Sequence, residues 1–228
     1  MNWFLTLNHK GRDLYPILRE NMEKPEYYKN EKVRGEVMRQ CGYFMTESTG
    51  HLSEYLPWFR SSQRALYTYC NEPLFGGEHA ANLRFSRAVQ QKFRDIDVLS
   101  IESGELEPRS IEYCSYIIEA IITGKPFTFS GNVPNAEGYI TNLPLDATVE
   151  VSVTADSEGF HPKHMGALPP QLVAMNQSNL ITQGLAARAA IDADSELVFW
   201  AIAMDPLTSA MLTLADCRRM VGEMFEAQ

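Results

Sequence analysis

Residues 46–60 gather an unusual density of chemistry-bearing side chains. They run Thr46-Glu47-Ser48-Thr49-Gly50-His51-Leu52-Ser53-Glu54-Tyr55, then Leu56-Pro57-Trp58-Phe59-Arg60. Two carboxylates, a histidine, a tyrosine and several hydroxyls stand beside an aromatic pair and an arginine. Such groups move protons and exchange hydrogen bonds with ring hydroxyls, while an aromatic face covers the C–H side of a sugar. Most enzymes that cleave glycosides use two carboxylates, one as acid and one as base or nucleophile. Glu47 and Glu54 can be read that way. Glu47, His51 and Glu54 are spaced by four and three, which on a helix puts them on one face. That face would suit a metal or sugar hydroxyls. It would equally suit a hydrogen-bonded cluster that fixes the local fold.

Other candidates are more dispersed. Asn132, Asn135 and Asn142 can each donate and accept. The same side chains also make turns through bonds to the backbone. Asn135 and Asn142 read as structural, and Asn132 as the one facing a cleft. His161-Pro162-Lys163-His164 reads as a surface loop, because Pro162 breaks helical register and Lys163 repels a cation. Arg109-Ser110 stands at a predicted helix start, where anions and partially negative oxygens are favoured.

The elements that must position these groups read as mostly helix with a small sheet. Residues 2–8 alternate as a strand. Tyr15-Pro16 opens a helix to about residue 23. An exposed helix spans 26–41 and stops at Gly42. Pro57 ends whatever precedes it. Asn71–Gly77 reads as a loop, Phe85–Asp95 as a helix and Ser103-Gly104 as a turn. The spacing predicts a helix from Pro108 to Ile122, capped by Gly124. A strand follows over 127–130, then loop chemistry over 131–144. Val149, Val151 and Val153 alternate within a half-buried strand at 148–154. A long helix is predicted over 171–192, and residues 195–203 and 207–226, separated by Asp205-Pro206, form one or two more. The class is α+β, organised as one module over residues 1–228.

The chain has 228 residues, a formal charge of −9 and 45% hydrophobic residues. An acidic chain repels phosphate backbones, which disfavours nucleic acid as a partner. No run of about 18 apolar residues is available to cross a membrane. Residues 1–15 are too polar for a secretory signal. Cys41, Cys70, Cys114 and Cys217 are widely spaced, without a C-x-x-C pair, which predicts reduced cytoplasmic thiols and no structural zinc.

The segment Thr46–Tyr55 resembles the TES-x-GH-x-SEY stretch of family 4 glycoside hydrolases, in the α-galactosidase and α-glucosidase branch. Three further segments support the resemblance in family order. They are Gly131–Asn135 with Gly138–Pro144, Gly166–Pro170, and Asp205–Thr208. The resemblance implies a lactate-dehydrogenase-like C-terminal domain, mostly helical with a small mixed sheet. It also implies an N-terminal Rossmann domain that is absent here, since no G-x-G-x-x-G turn is found. The family's metal histidine lies shortly before an aromatic pair that corresponds to Trp3-Phe4. Asn8-His9 falls after that pair, so its register is wrong for a metal ligand. With the nucleotide-binding half missing, an apolar patch is expected near Trp3-Phe4 and Tyr43-Phe44.

The resemblance implies a different chemistry from paired carboxylates. Family members depend on NAD and a divalent metal, usually manganese, and are exceptions to the two-carboxylate scheme. The nicotinamide oxidises C3 of the sugar, a base removes the C2 hydrogen, and the glycosidic oxygen leaves by elimination. In relatives acting on phosphorylated β-glucosides the base is a tyrosine in a Y-L-x-x-Y segment. Tyr55-Leu56-Pro57-Trp58-Phe59 fits except at its last position, which makes Tyr55 the candidate base. Glu47, His51, Glu54, Arg109 and Asn132 become candidate contacts to the sugar. The implied partners are an α-glycoside, a separate Rossmann half and further copies of the chain. Without that half the chain is expected to be inactive. A non-catalytic oligomerisation module, or the remnant of a truncated gene, is the alternative. The substrate domain of a dehydrogenase is a weaker third, opposed by the sugar-like segment.

Overall fold

The computed structural model describes residues 1–70, 81–94 and 108–227. The loop expected at 71–77 and the turn expected at 103–104 lie outside the described residues. Backbone contacts group the chain into two units. One comprises Met1–Gln90 with Ala174–Gln228, and the other comprises Gln91–Val173.

The first unit opens with β1 (Trp3–Phe4), β2 (Asn8–His9) and β3 (Arg12–Asp13). The single strand expected over 2–8 is therefore two short ones. Left-handed φ at Lys10 (49°) and Gly11 (78°) turns the chain so that β2 pairs back on β3. Helix α1 (Tyr15–Met22) has Pro16 in its first turn, and Asp13 Oδ1 accepts from the Tyr15 N–H at 3.0 Å. The expected helix over 26–41 is broken into α2 (Pro25–Tyr28) and α3 (Lys32–Cys41). The break has a tertiary cause. Thr49 Oγ1 accepts from the N–H groups of Val33 (3.0 Å) and Arg34 (3.1 Å), which satisfies the donors exposed where α3 begins. Nor is α3 an exposed helix, since it buries Val33, Val37 and Met38. Gly42 ends it at φ 88°, as the glycine predicts.

Strand β4 (Phe44–Met45) pairs antiparallel with β1. The buried Tyr15 hydroxyl links the two, donating to Phe4 O and accepting from Phe44 N–H. Trp3 Nε1 donates to Asn176 Oδ1 at 3.0 Å. These bonds bury Trp3 (6% exposed) and Phe44 (8%), so the apolar patch expected there is largely covered and only Phe4 is exposed. Helices α4 (Thr49–Tyr55), α5 (Gln63–Tyr69) and α6 (Ala81–Arg94) follow.

The second unit is built around α7 (Cys114–Thr123), β5 (Phe127–Pro134), β6 (Thr148–Asp156) and β7 (Gly159–Pro162). The helix expected from Pro108 starts six residues late. Ser110 Oγ accepts from the Glu112 N–H, which turns the chain where a helix would need that donor. Strand β5 runs on through residues expected as loop, paired with β6 from Phe127–Ala155 to Pro134–Thr148. The three-stranded sheet is antiparallel rather than mixed: β5 pairs antiparallel with β6, and the two-residue turn between β6 and β7 imposes the same on that pair. Parallel pairing among the described residues is confined to the bridge Ile140–Gly166. One sheet face carries Val149, Val151, Val153 and Ala155, all buried, with Phe127 and Phe129 opposite them. The loop beyond β5 is pinned by fully buried Asn135. Its amide donates to the carbonyls of Ile140, Leu143 and Pro144 and accepts from Ile140 N–H.

The chain ends in α8 (Pro170–Asp192), α9 (Ser195–Ala203), α10 (Pro206–Met211) and α11 (Leu214–Glu226). Asp205 caps α10, accepting from the N–H groups of Leu207 and Thr208. Phe199, Ala203, Cys217 and Val221 form the core between α9 and α11.

Candidate functional site

The chemistry-dense stretch folds as a short helix with its cap and exit. Ser48 is the N-cap of α4, with extended backbone and a hydroxyl that accepts from His51 N–H at 3.2 Å. Pro57 ends the helix: Leu56 is already extended, because a residue before proline is pushed out of helical conformation. Leu52 and Ser53 are fully buried, which orients His51, Glu54 and Tyr55 toward the outer side.

Glu47, His51 and Glu54 do not line up on one helical face as their spacing predicts, because Glu47 precedes the cap. Glu47 nevertheless reaches back, with Oε1 3.0 Å from His51 Nδ1 and 2.9 Å from the Ser48 N–H. Those two contacts, the backbone one first, hold its carboxyl below the ordinary range. A general acid needs the opposite shift, so the pairing of Glu47 and Glu54 as acid and base is disfavoured. Glu54 turns instead toward Arg60, with Oε1 3.7 Å from Nη2. No three His, Cys, Asp or Glu side chains come together as a metal site among the described residues. The metal reading of this trio therefore has no support among the described residues.

Tyr55 is half-buried at the last position of α4. Its ring centroid lies 6.4 Å from that of His51. Burial lifts the phenol above its ordinary value, and the Glu47 and Glu54 charges lift it further. Within this chain the phenolate is opposed. Of the aromatic pair, Phe59 is buried edge-on against Tyr69, while Trp58 is 57% exposed and offers a free face.

Two residues that fix this site were missed as site residues in the sequence. Arg60, only 9% exposed, donates from Nε to Ser53 Oγ at 2.8 Å. Asn179 of α8 donates to the Tyr55 carbonyl at 3.1 Å. Arg60 could have been suspected from its place in the stretch. Asn179, 124 positions from Tyr55, leaves no local signal.

Arg109 and Asn132 lie in the second unit, and the structure separates them. Arg109 precedes α7, pairs with Glu119 and lies over the Tyr116 ring at 4.6 Å. It stands on the α7 side of the sheet, where Tyr116 stacks on Phe127. Asn132 alternates with the inward residues of β5, so it faces the opposite, polar side across from Glu150. Asn142 is bonded both ways to the Leu168 backbone, which agrees with a structural reading. His161 is paired with Asp156, and His164 stands against Tyr139.

Comparison with known proteins places this architecture. An α-galactosidase of Bacillus subtilis (strain 168) is 40% identical over 229 residues, covering 100% of this chain and 52% of its own length. An α-galactosidase of Rhizobium meliloti (strain 1021) is 33% identical over 233 residues, covering 99% and 47%. The chain thus spans about half the length of the curated relatives it matches. The crystal structure of lplD from Bacillus subtilis superposes with a TM-score of 0.79 at 22% identity, over 97% of this chain and 52% of that one. A 6-phospho-α-glucosidase from gut microorganisms, in complex with NAD and Mn2+, gives 0.70 at 16% identity, over 99% and 52%. At those identities the likeness shows the fold. The pattern of the family 4 glycosyl hydrolase C-terminal domain matches residues 1–208, and on that match the chain belongs to the family 4 glycosyl hydrolases as their C-terminal part.

Proposed function

We propose that the chain is the substrate-side part of an α-glycosidase that works by oxidation and elimination, with an α-galactoside as its sugar. The observation that carries this reading is α4, whose geometry sets Tyr55 beside His51 and within reach of the Glu47 charge, with the exposed Trp58 three residues on. The two α-galactosidases that match nearly the whole chain support the substrate class. The relatives crystallised with NAD and Mn2+ support the cofactors. The described residues bring no metal-ligand set together, and we assign most of the ligands for both cofactors to a nucleotide-binding half. When bound, the nicotinamide supplies hydride abstraction at C3 and its return.

The tasks left to this chain are binding and proton transfer. In the joined enzyme Tyr55 Oη, as the phenolate, accepts the C2 proton while the C–H bonding pair forms the C1–C2 double bond and the glycosidic oxygen leaves C1, and the Trp58 face covers the C–H side of the ring. Glu47 holds His51 in one orientation through Nδ1, which leaves Nε2 for a sugar hydroxyl. Glu54 remains a further candidate for the same ligand, while Arg109 and Asn132, on opposite sides of the second unit's sheet, are not brought together by the geometry. A reducing, cytoplasmic setting fits the four cysteines, none of which forms a disulfide.

The test is to replace the corresponding half of the Bacillus subtilis α-galactosidase with this chain. With NAD and Mn2+, the joined protein should hydrolyse a nitrophenyl α-galactoside. Tyr55→Phe should lower kcat by about 10²-fold or more while NAD is still bound. A folded, NAD-bound hybrid without hydrolysis overturns the reading.

A second reading has its own observation. Ile118 and Ile122 on α7 are 54% and 76% exposed, and Met204 and Met211 at the ends of α9 and α10 are 46% and 57% exposed. A non-catalytic module that associates with further copies would cover such residues. A concentration-dependent oligomer that binds neither galactose nor NAD, even when joined to the other half, favours it.

A further inference from the structure

The geometry points to Arg60 as a positioning residue for Tyr55: buried beside α4, it holds Ser53 and pairs with the Glu54 carboxylate adjoining Tyr55. This inference rests on the proposed role of Tyr55 as base. Arg60 Nε donates to Ser53 Oγ at 2.8 Å, and Nη2 stands 3.7 Å from Glu54 Oε1. Ser53 is fully buried and its hydroxyl donates in turn to Gly50 O at 2.5 Å. The guanidinium thus grips the inner side of the helix that ends in Tyr55. A cation there also opposes the partial negative charge of the helix C-terminus. From the other direction, Asn179 fixes the Tyr55 carbonyl.

The electrostatic consequence concerns Glu54. Glu47 and Glu54 are the charges that oppose a Tyr55 phenolate. Glu47 is shared with His51, the other titratable ring beside Tyr55. Glu54 has Arg60. Among the remaining neighbours, the N-terminal ammonium acts on Glu47. Helix α10 carries no titratable side chain beyond its Asp205 cap, and residues 171–187 of α8 carry none. On α3, Arg34 is paired with Glu31, and Arg39 with Glu23 and Glu36. Lys32 sits at the opposite, N-terminal end of α4's partner helix and has partners of its own. Removing the Arg60 charge should therefore leave Glu54 acting at full strength on Tyr55.

The test is NMR titration of the full chain carrying tyrosine labelled with 13C at Cζ, with the Tyr55 signal assigned by its loss in Tyr55→Phe. In Arg60→Gln, which keeps a donor for Ser53, the Tyr55 midpoint should rise by about half a pH unit, the scale of a partly screened charge pair. Arg60→Lys should leave it unchanged, and Glu54→Gln with Arg60→Gln should cancel the rise. An unchanged midpoint in folded Arg60→Gln overturns the inference, as does a rise that Glu54→Gln does not reverse. Should Arg60→Gln not fold, a shifted midpoint in Arg60→Lys overturns it and an unshifted one supports it. The midpoint reads this contact whether or not Tyr55 is the base. In the joined enzyme the same variant should move the acid limb of kcat/KM upward by the same amount. Absence of hydrolysis there would sink the proposed reaction and leave the NMR result standing.

Discussion

The Glu47 carboxylate accepts from the Ser48 N–H and stands against His51 at the entrance to α4. Those bonds favour its charged form, so its folded carboxyl titrates below the unfolded value of about 4.3. Its contribution to stability is therefore present above that value and is lost as pH falls through the folded one. The side chain is 39% exposed, so screening leaves roughly 0.5 kcal/mol at neutral pH. Glu47→Gln should lose that amount in urea unfolding at pH 7, and the gap to wild type should close as pH drops through the carboxylate range. A gap that persists in acid would mean the amide disturbs the cap rather than the charge. At this scale the sequence singled out Glu47, His51, Glu54 and Tyr55 from one stretch. The partnerships were not legible in it. Helical spacing put Glu47 with Glu54, whereas a cap between Glu47 and the helix sends one to His51 and the other to Arg60.

Elements whose limits depend on local chemistry followed the sequence. Gly42 and Gly124 end α3 and α7 in left-handed conformation, and Pro57 ends α4. Elements whose limits depend on distant groups did not. Helix α3 begins where Thr49, 16 positions away, supplies its acceptor, and no window around residue 32 contains that information. Thr49→Val keeps the shape and removes the acceptor shared by Val33 and Arg34. It should cost about 2 kcal/mol in chemical denaturation, the scale of buried donors left without a partner. A loss under about 0.5 kcal/mol would show that water reaches those donors. The loop after β5 depends in the same way on one amide. Asn135 has four bonds to the Ile140–Pro144 backbone and no exposure. Asn135→Ala should cost about 3 kcal/mol, with backbone amide exchange rising through residues 140–144 if the pin is what orders them. The asparagines that looked like turn formers are thus cross-loop ties, a distinction that needs the partner backbone to be seen.

For the molecule as a whole, the question is which properties of the relatives this chain can hold by itself. It matches α-galactosidases over about half of their length, its sequence has no glycine-rich nucleotide turn, and its described residues bring no metal-ligand set together. A ligand that binds only the folded state stabilises it by RT ln(1 + [L]/Kd), about 2.7 kcal/mol at a hundredfold excess over Kd. NAD with Mn2+ should therefore leave the melting temperature of the chain alone unchanged. Joined to the remaining half of the Bacillus subtilis α-galactosidase, the same chain should melt several degrees higher with NAD than without. Scanning fluorimetry on both proteins, with and without each cofactor, decides the matter. If NAD raises the melting point of the chain alone, the cofactor grip lies partly within residues 1–228, and the division of labour proposed for Tyr55 and its neighbours must be redrawn to include it. If only the joined protein responds, the grip on NAD needs the other half, as the proposed division of labour expects.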